Sequence, residues 1–383
     1  MNFWHIFKRE LRQLFIKDAR RAFYLFGASA VYVIFFGLLY SPGVVKYVPI
    51  VVYDQDQTQL SRSLVQAFED SERYEVIAYV TTQEEMEEYL RNKKAQAALA
   101  VPPDFSREIK QGRASQILLE ANGSNIVIAN AVMTSAQEIM MEFSAGIGKG
   151  LVEAIGQMPD QAMNRVAPID FRLRVINNPT LSYLNFFVLG VAMAALQQGI
   201  LLSVGGSMTR ERFGELSGVH PVTVMMGKLS PYWIGGTLSY FLALLISAEV
   251  FDIPLRGSML SLMLLGTVFS FAVAAMGSLM AAVCKDEVGF TQMSLTYTVP
   301  AFIYSGYAWP IHSMDGFSTA MSHLFPLTYI GDNVRDLMLS GHAPLLTYGI
   351  AVLGCIGLSC FMISVLIYGR RIETSQESKQ AAV

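Results

Sequence analysis

The chain has 383 residues, of which 52% are hydrophobic and only 15% are charged, whereas about a quarter of the residues in a soluble domain carry a charge. This composition indicates a membrane protein. The formal net charge is −3 and no segment is strongly basic, which argues against a nucleic-acid partner. The three cysteines lie in or beside apolar runs without metal-binding spacing, so they predict no metal site and no disulfide framework.

An interfacial helix is predicted in the first segment, residues 1–21, on the cytoplasmic side. Apolar and polar side chains fall on opposite helical faces there: Phe3, Phe7, Leu11, Leu14 and Phe15 on one, and Lys8, Arg9, Arg12 and Gln13 on the other. Such a helix is typical of one that lies on the inner leaflet. A cytoplasmic extension of the first membrane span is the alternative.

Six segments are long and apolar enough to cross a membrane, which takes about 20 residues. They are residues 22–40, 183–207, 229–250, 258–283, 288–309 and 345–368. The first run is too long for a signal peptide and no small-residue cleavage site follows it, so we expect it to be retained.

The distribution of Lys and Arg predicts the orientation of these spans. Basic residues concentrate in segments that share one side of the membrane if both termini are cytoplasmic, namely 8–21, 210–228, 285 and 370–379. We therefore predict a multi-pass membrane protein with both termini in the cytoplasm, including a cytoplasmic tail at 369–383.

Residues 41–182 differ in composition from the rest and have the size of an independent domain. Strand-like and helix-like segments alternate there, with strands at 47–54, 74–80, 96–102 and 115–122 and a last one at 169–179. The predicted fold is thus a membrane α-helical bundle of six transmembrane helices with an inserted extracytoplasmic α/β (or α+β) domain between spans one and two. The domain has no histidine or cysteine, so we expect no catalysis in it.

The loop between the second and third spans, residues 208–228, carries mixed charges at Arg210, Glu211, Arg212 and Glu215. Basic residues alone could anchor the spans to the membrane, but the acids would weaken such an anchor. A short helix of mixed charge would instead suit docking on a soluble partner, where ion pairs fix the register. Because the chain lacks a phosphate-binding P-loop sequence, energy for transport would have to come from that partner.

At these residues the sequence resembles the membrane subunits of type 2 ATP-binding cassette exporters, in the subgroup with a large extracytoplasmic domain after the first span. The loop matches at Arg210-Glu211-Arg212, Glu215-Leu216, Pro221 and Gly227-Lys228-Leu229, although its Gly-Thr-x-Glu run is shortened to Phe213-Gly214-Glu215. A second match lies within 304–341, at Ser305-Gly306, Trp309-Pro310, Met314, Pro326-Leu327-Thr328-Tyr329 and Arg335.

The resemblance implies a permease that is no enzyme itself and binds no cofactor. A cytoplasmic ATPase subunit would use ATP and Mg²⁺, and would dock on 208–228 and the N-terminal helix. The coupling residues it implies are Arg210, Glu211, Arg212, Gly214, Glu215, Pro221 and Lys228. It also implies an outer re-entrant segment at 310–340, with Pro310, Pro326, Tyr329 and Arg335, and pairing with a second copy or a related permease. A periplasmic adaptor and membrane lipid are further expected partners.

Three glutamines in the predicted spans, Gln197, Gln198 and Gln292, are costly against lipid and should face protein or a cavity. Either they line a pathway or dimer seam, or they hold helices together by hydrogen bonds. The leading functional hypothesis is outward movement of an amphipathic substrate: a drug, a lipid or an envelope precursor. The alternative is a non-transport receptor or scaffold whose outer domain binds a ligand. A sodium exporter would need acids deep in the spans, and the sequence shows none there beyond Glu249, near the outer end of the third span.

Overall fold

The computed structural model describes residues 2–153, 176–211, 216 and 218–380, which form two compact units. One unit comprises Met1–Gly43 with Val175–Val383, and the other comprises Val44–Arg174. Residues 169–175 of the last predicted strand, 169–179, lie outside the described residues, and residues 176–179 form no strand.

The elements are given in chain order, beginning with those of residues 3–153. They are α1 (Phe3–Arg12), a π-helical turn (Gln13–Lys17), α2 (Ala19–Leu39), β1 (Val48–Asp54), α3 (Gln59–Glu69), β2 (Tyr74–Tyr79), α4 (Gln83–Arg91), β3 (Ala97–Val101), α5 (Phe105–Lys110), β4 (Leu118–Ala121) and α6 (Ile126–Glu153). The remaining elements are α7 (Tyr183–Thr209), α8 (Pro221–Glu249), α9 (Met259–Val283), α10 (Glu287–Tyr304), a 3-10 turn (Ile311–Ser313), α11 (Gly316–Ser322), α12 (Pro326–Ser340) and α13 (Leu346–Gln380).

Five helices of the described chain are long and apolar enough to cross a membrane: α2, α7, α8, α9 and α13. They coincide with five of the six predicted spans, which agrees with a membrane helical bundle. The predicted span 288–309 coincides with α10, which has 18 residues, contains Pro300 and is not among the five. The sixth crossing is therefore a proposal, to which we return below.

Both ends of the predicted loop 208–228 are helical. Helix α7 continues to Thr209, and α8 begins at Pro221 instead of the predicted residue 229. Proline is favoured at the first position of a helix, and the His220 side chain accepts a hydrogen bond from the backbone N–H of Val222. The connection between the two helices is thus only residues 210–220. At the other end of the chain, α13 extends through the predicted tail to Gln380.

The segment 310–340 is broken into short pieces by its prolines. Pro310 precedes the 3-10 turn, and Pro326 occupies the first turn of α12. The interruption of a continuous span is as predicted, whereas the re-entrant position of this segment stays a prediction.

The 44–174 unit contains a mixed four-stranded sheet in the order β2-β1-β3-β4, in which β1 pairs in parallel with β2 and β3, and β3 pairs antiparallel with β4. The central strand is fully buried at Ile50, Val51 and Val52. One face packs against side chains of α3 and α6, and the other against Met86 of α4. Four of the predicted strands are present within a few residues of their expected bounds.

Helices of the larger unit approach closely at glycines. A Cβ atom added to Gly199 of α7 would lie 2.2 Å from the backbone oxygen of Tyr24 in α2. One added to Gly205 would lie 2.0 Å from the Phe290 ring of α10. Small residues permit such contacts between apolar helices, where packing rather than exclusion of water provides the attraction.

Replacement of Gly199 by alanine should therefore destabilise the bundle, because the contacting atom belongs to the backbone and cannot rotate away. We expect overpacking in Gly199→Ala to lower the free energy of unfolding by about 2 kcal/mol. The thermal unfolding temperature of the purified protein should fall by several degrees as a result. Gly354→Ala is the matched control, since nothing lies within 4 Å of an added Cβ atom there. Equal unfolding temperatures for both variants would contradict the observed helix contact.

Candidate coupling site

Helix α1 packs against the first turns of α8 through a small apolar cluster. Ile6 is buried there together with Leu216, Val224 and Ile372. A Cβ atom added to Gly227 would lie 2.9 Å from Ile6 Cβ, so the glycine lets the two helices meet. The buried positions of α1 are Ile6 and Glu10, with Leu14 following in the π-helical turn. The predicted apolar face included Leu14 but not Ile6 or Glu10, because an acid lies in the middle of this stripe.

Lys228 has no exposed side-chain surface, although it stands next to Gly227 on α8. Its Nζ atom donates to Glu10 Oε1 at 2.8 Å and to Glu211 Oε2. Arg9 Nη2 donates to the same Glu211 oxygen at 2.7 Å. Two bases and two acids therefore neutralise one another in a buried group, to which we refer as the Lys228 cluster (Arg9, Glu10, Glu211 and Lys228).

Hydrogen bonds from α7 and from a second residue of α8 complete the environment of Glu10. Ser207 Oγ donates to Glu10 Oε2 at 2.7 Å, and the Tyr232 hydroxyl donates to the same oxygen at 3.2 Å. Burial raises the pKa of Glu10, but the ammonium of Lys228, the hydrogen bond from Ser207 and the guanidinium of Arg9 outweigh burial and leave the pKa below its ordinary value. Glu10 is therefore a buried carboxylate that stays charged.

A second charged group adjoins the first and centres on Asp18, at the start of α2. Its carboxylate accepts from Arg210 at 2.7 Å and Arg20 at 3.3 Å, and Arg21 Nε lies 3.4 Å away. Arg210 also pairs with Glu287 at the start of α10. We call these five residues the Asp18 cluster. Burial raises the pKa of Asp18, but the three guanidinium groups outweigh it and leave the pKa lowered.

One side-chain bridge joins the two clusters. Arg21 Nη1 donates to the Tyr232 hydroxyl at 3.2 Å, and that hydroxyl donates to Glu10. The ends of α1, α2, α7, α8 and α10 are consequently connected by charged and polar side chains.

The structure brings together three of the residues predicted for coupling: Arg210, Glu211 and Lys228. Pro221 begins α8 on the same side of the unit. Arg212, Gly214 and Glu215 lie outside the described residues. Sequence reasoning missed Glu10, Asp18, Ser207, Tyr232 and Glu287. Two features of the sequence could have indicated them. Glu10 lies one helical turn from both Ile6 and Leu14, and Glu287 is an acid at the start of α10.

The predicted glutamines have three different environments. Gln197 is fully buried, and its amide has no hydrogen-bond partner among the described residues. Gln198 joins α7 to α10 by donating to Ser294 Oγ at 3.1 Å and accepting from Thr298. Gln292 lies in a groove beside the Asp18 cluster. For Gln197 the choice between lining a pathway and holding helices together stays open. Gln198 makes interhelical hydrogen bonds of the kind that the second alternative describes.

Two of the predicted outer residues, Tyr329 and Arg335, make side-chain contacts within the larger unit. The Tyr329 hydroxyl donates to the backbone oxygen of His323 at 2.9 Å. Arg335 pairs with Asp332 at 2.7 Å, and its guanidinium lies over the rings of Phe186 and Tyr307, 5.2 and 4.8 Å from their centroids. These contacts join α12 to α7 and to the segment after α10.

Removal of Lys228 should be strongly destabilising, because it leaves buried carboxylates without their ammonium partner. We expect Lys228→Met to lower the free energy of unfolding by about 3–5 kcal/mol, and Glu10→Gln combined with it to cost less than the sum of the two single changes. Thermal unfolding of the purified variants measures this. Lys8→Met is the control, because Lys8 is exposed and forms no ion pair in the described chain. Additive effects of the two single changes would contradict direct pairing.

Comparison with known proteins agrees with this architecture. Residues 22–366 match the family model described as ABC-2 family transporter protein. The probable multidrug ABC transporter permease YbhR of Escherichia coli (strain K12) is 22% identical over 344 residues, which cover 88% of this chain and 89% of the relative. The inner membrane transport permease YhhJ of the same strain is 24% identical over 388 residues, which cover 97% and 98%. The family model spans most of the chain, so this protein belongs to the ABC-2 family of transporter proteins, as its motifs predicted.

Proposed function

We propose that the chain is the permease subunit of an ATP-binding cassette exporter that moves an amphipathic substrate, such as a drug, a lipid or an envelope precursor, outward across the membrane. A separate cytoplasmic ATPase subunit binds ATP and Mg²⁺ and supplies the energy. Family membership and the multidrug permease names of the relatives support this proposal. The lack of a P-loop sequence in this chain supports assigning hydrolysis to a partner.

In this proposal α10 is the remaining crossing, which gives six spans and places both termini in the cytoplasm of a bacterial inner membrane. The 44–174 unit is then extracytoplasmic, together with the segment 310–340. Basic residues at both chain ends and in the α7–α8 connection support this orientation. A second copy or a related permease completes the transport pathway, and a periplasmic adaptor is a partner for the outer unit.

The connection 210–220 and helix α1 would together form the surface on which the ATPase docks. The observation that carries this assignment is the Lys228 cluster, in which Glu211 of the connection and Glu10 of α1 share one buried ammonium. Breaking that arrangement would strand a charge in a poorly solvated site, so the connection, α1 and the start of α8 would move as one body. A displacement imposed by the ATPase would then reach α2 and α7 through Arg21 and Arg210.

Reversal of a charge in the connection should weaken ATPase binding. We expect Glu215→Arg to reduce the amount of ATPase subunit that co-purifies with the permease at least about tenfold, because opposite-charge pairs fix the docking register. Glu84→Arg reverses an exposed carboxylate of α4 in the other unit and should leave co-purification unchanged.

Two results would contradict the proposed coupling. One is wild-type binding and wild-type substrate-stimulated ATP hydrolysis with Glu215→Arg. The other is a purified permease with which no ATPase associates, while its 44–174 unit binds a ligand alone. The second result would favour the receptor or scaffold hypothesis.

A further inference from the structure

A groove of roughly 380 Å³ lies beside the Asp18 cluster, where α2 begins, α7 ends and α10 begins. Its lining has a polar and an apolar part. Charged and polar side chains form the first, and Tyr24, Leu202 and Val288 form the second. An amphipathic molecule with an anionic end would match both parts.

The charges that line the groove are not balanced. In the described lining, the guanidinium groups of Arg20, Arg21 and Arg210 face two carboxylates, those of Asp18 and Glu287. All three guanidinium groups lie within 3.4 Å of the single Asp18 carboxylate, and Arg210 also forms an ion pair with Glu287. The adjoining Lys228 cluster offers no spare acid, because its two acids already face two bases. Among the residues that the structure describes, one positive charge of the groove is therefore left without a counter-ion.

Two donors are free to bind an anion there. The Arg20 side chain is 74% exposed, and among the described residues only its Nε atom has a partner, Asp18. The exposed amide of Gln292 likewise makes no hydrogen bond within the described part of the chain. Arg21 is buried and Arg210 is held by two acids, so these two residues supply positive potential rather than free donors.

The position of the groove indicates which kind of anion can reach it. It lies at the ends of α2 and α7, two helices long and apolar enough to span the membrane, and thus at the level of lipid headgroups. The abundant anion at that level is the phosphate of a phospholipid, and guanidinium groups bind phosphate through paired hydrogen bonds. We propose that this groove is a binding site for an anionic phospholipid, with its phosphate on Arg20 and Gln292 and an acyl chain along Tyr24, Leu202 and Val288. The site does not depend on the proposed ATPase coupling.

The test is native mass spectrometry of the full-length protein in detergent, titrated with phosphatidylglycerol or phosphatidylcholine. We expect one tightly retained phosphatidylglycerol, with roughly tenfold weaker apparent affinity in Arg20→Gln, as the loss of a charge-assisted contact predicts. Gln292→Leu, which removes an exposed amide, should weaken binding about threefold and gives an independent result. Arg12→Gln is the matched control, because Arg12 is exposed, carries the same charge and does not line the groove.

Three outcomes would overturn the proposal. Equal losses in Arg12→Gln and Arg20→Gln would mean general attraction to a basic surface. Equal retention of phosphatidylcholine would mean that the groove does not select an anionic headgroup. Displacement of the lipid by millimolar glycerol 3-phosphate would mean that the site takes a free phosphate ester rather than a lipid.

Discussion

A buried ammonium group sets the arrangement of one whole end of the larger unit. Transfer of a charged lysine out of water costs several kcal/mol unless acids and hydrogen bonds compensate for it. The two acids that do so for Lys228 come from positions 218 and 17 residues away along the chain. Helix α1 must therefore lie against α8, and the connection after α7 must begin beside it. Gly227 and Ile6 provide the close contact that this arrangement needs.

The Asp18 cluster extends the same constraint to more helices. Arg210 reaches from the end of α7 to Asp18 before α2 and to Glu287 at the start of α10. Tyr232 connects this group to Glu10 through Arg21. In the proposed exporter, a movement of the docking surface would thus be shared by several helices rather than absorbed by a loose loop. The excess positive charge of the same cluster is the basis of the proposed lipid site, so coupling and lipid binding would depend on neighbouring side chains.

Some parts of this architecture could be predicted from the sequence and others could not. Apolar length alone located the five long helices, and alternation of strand and helix patterns located four strands of the sheet, because both signals are local. The motifs at 208–228 and 304–341 correctly indicated the family. Helix α8 begins eight residues before the predicted span, since Lys228 was taken as the boundary of the apolar run although residues 221–227 carry no charge. Pro221 after His220 was the overlooked signal for that start.

The charged clusters could not have been assembled from the sequence in the same way. Glu10 has the local pattern of an exposed acid on an amphipathic helix, and only a partner 218 residues away makes it a buried one. Asp18 and Glu287 likewise gain their meaning from Arg210, which lies far from both in the chain. Periodicity reports which face of a helix is apolar, but it does not report which distant charge will cover an acid on that face.

The most direct test of the central claim is whether α1 and the start of α8 keep a fixed separation during ATP turnover. Spin labels at Lys8→Cys and His220→Cys, both exposed positions, can be measured by electron–electron double resonance after replacement of Cys284, Cys355 and Cys360. With the ATPase subunit bound, we predict the same distance distribution without nucleotide and with ATP trapped. A shift of several ångströms between the two states would show that the two elements move separately, and would contradict the account.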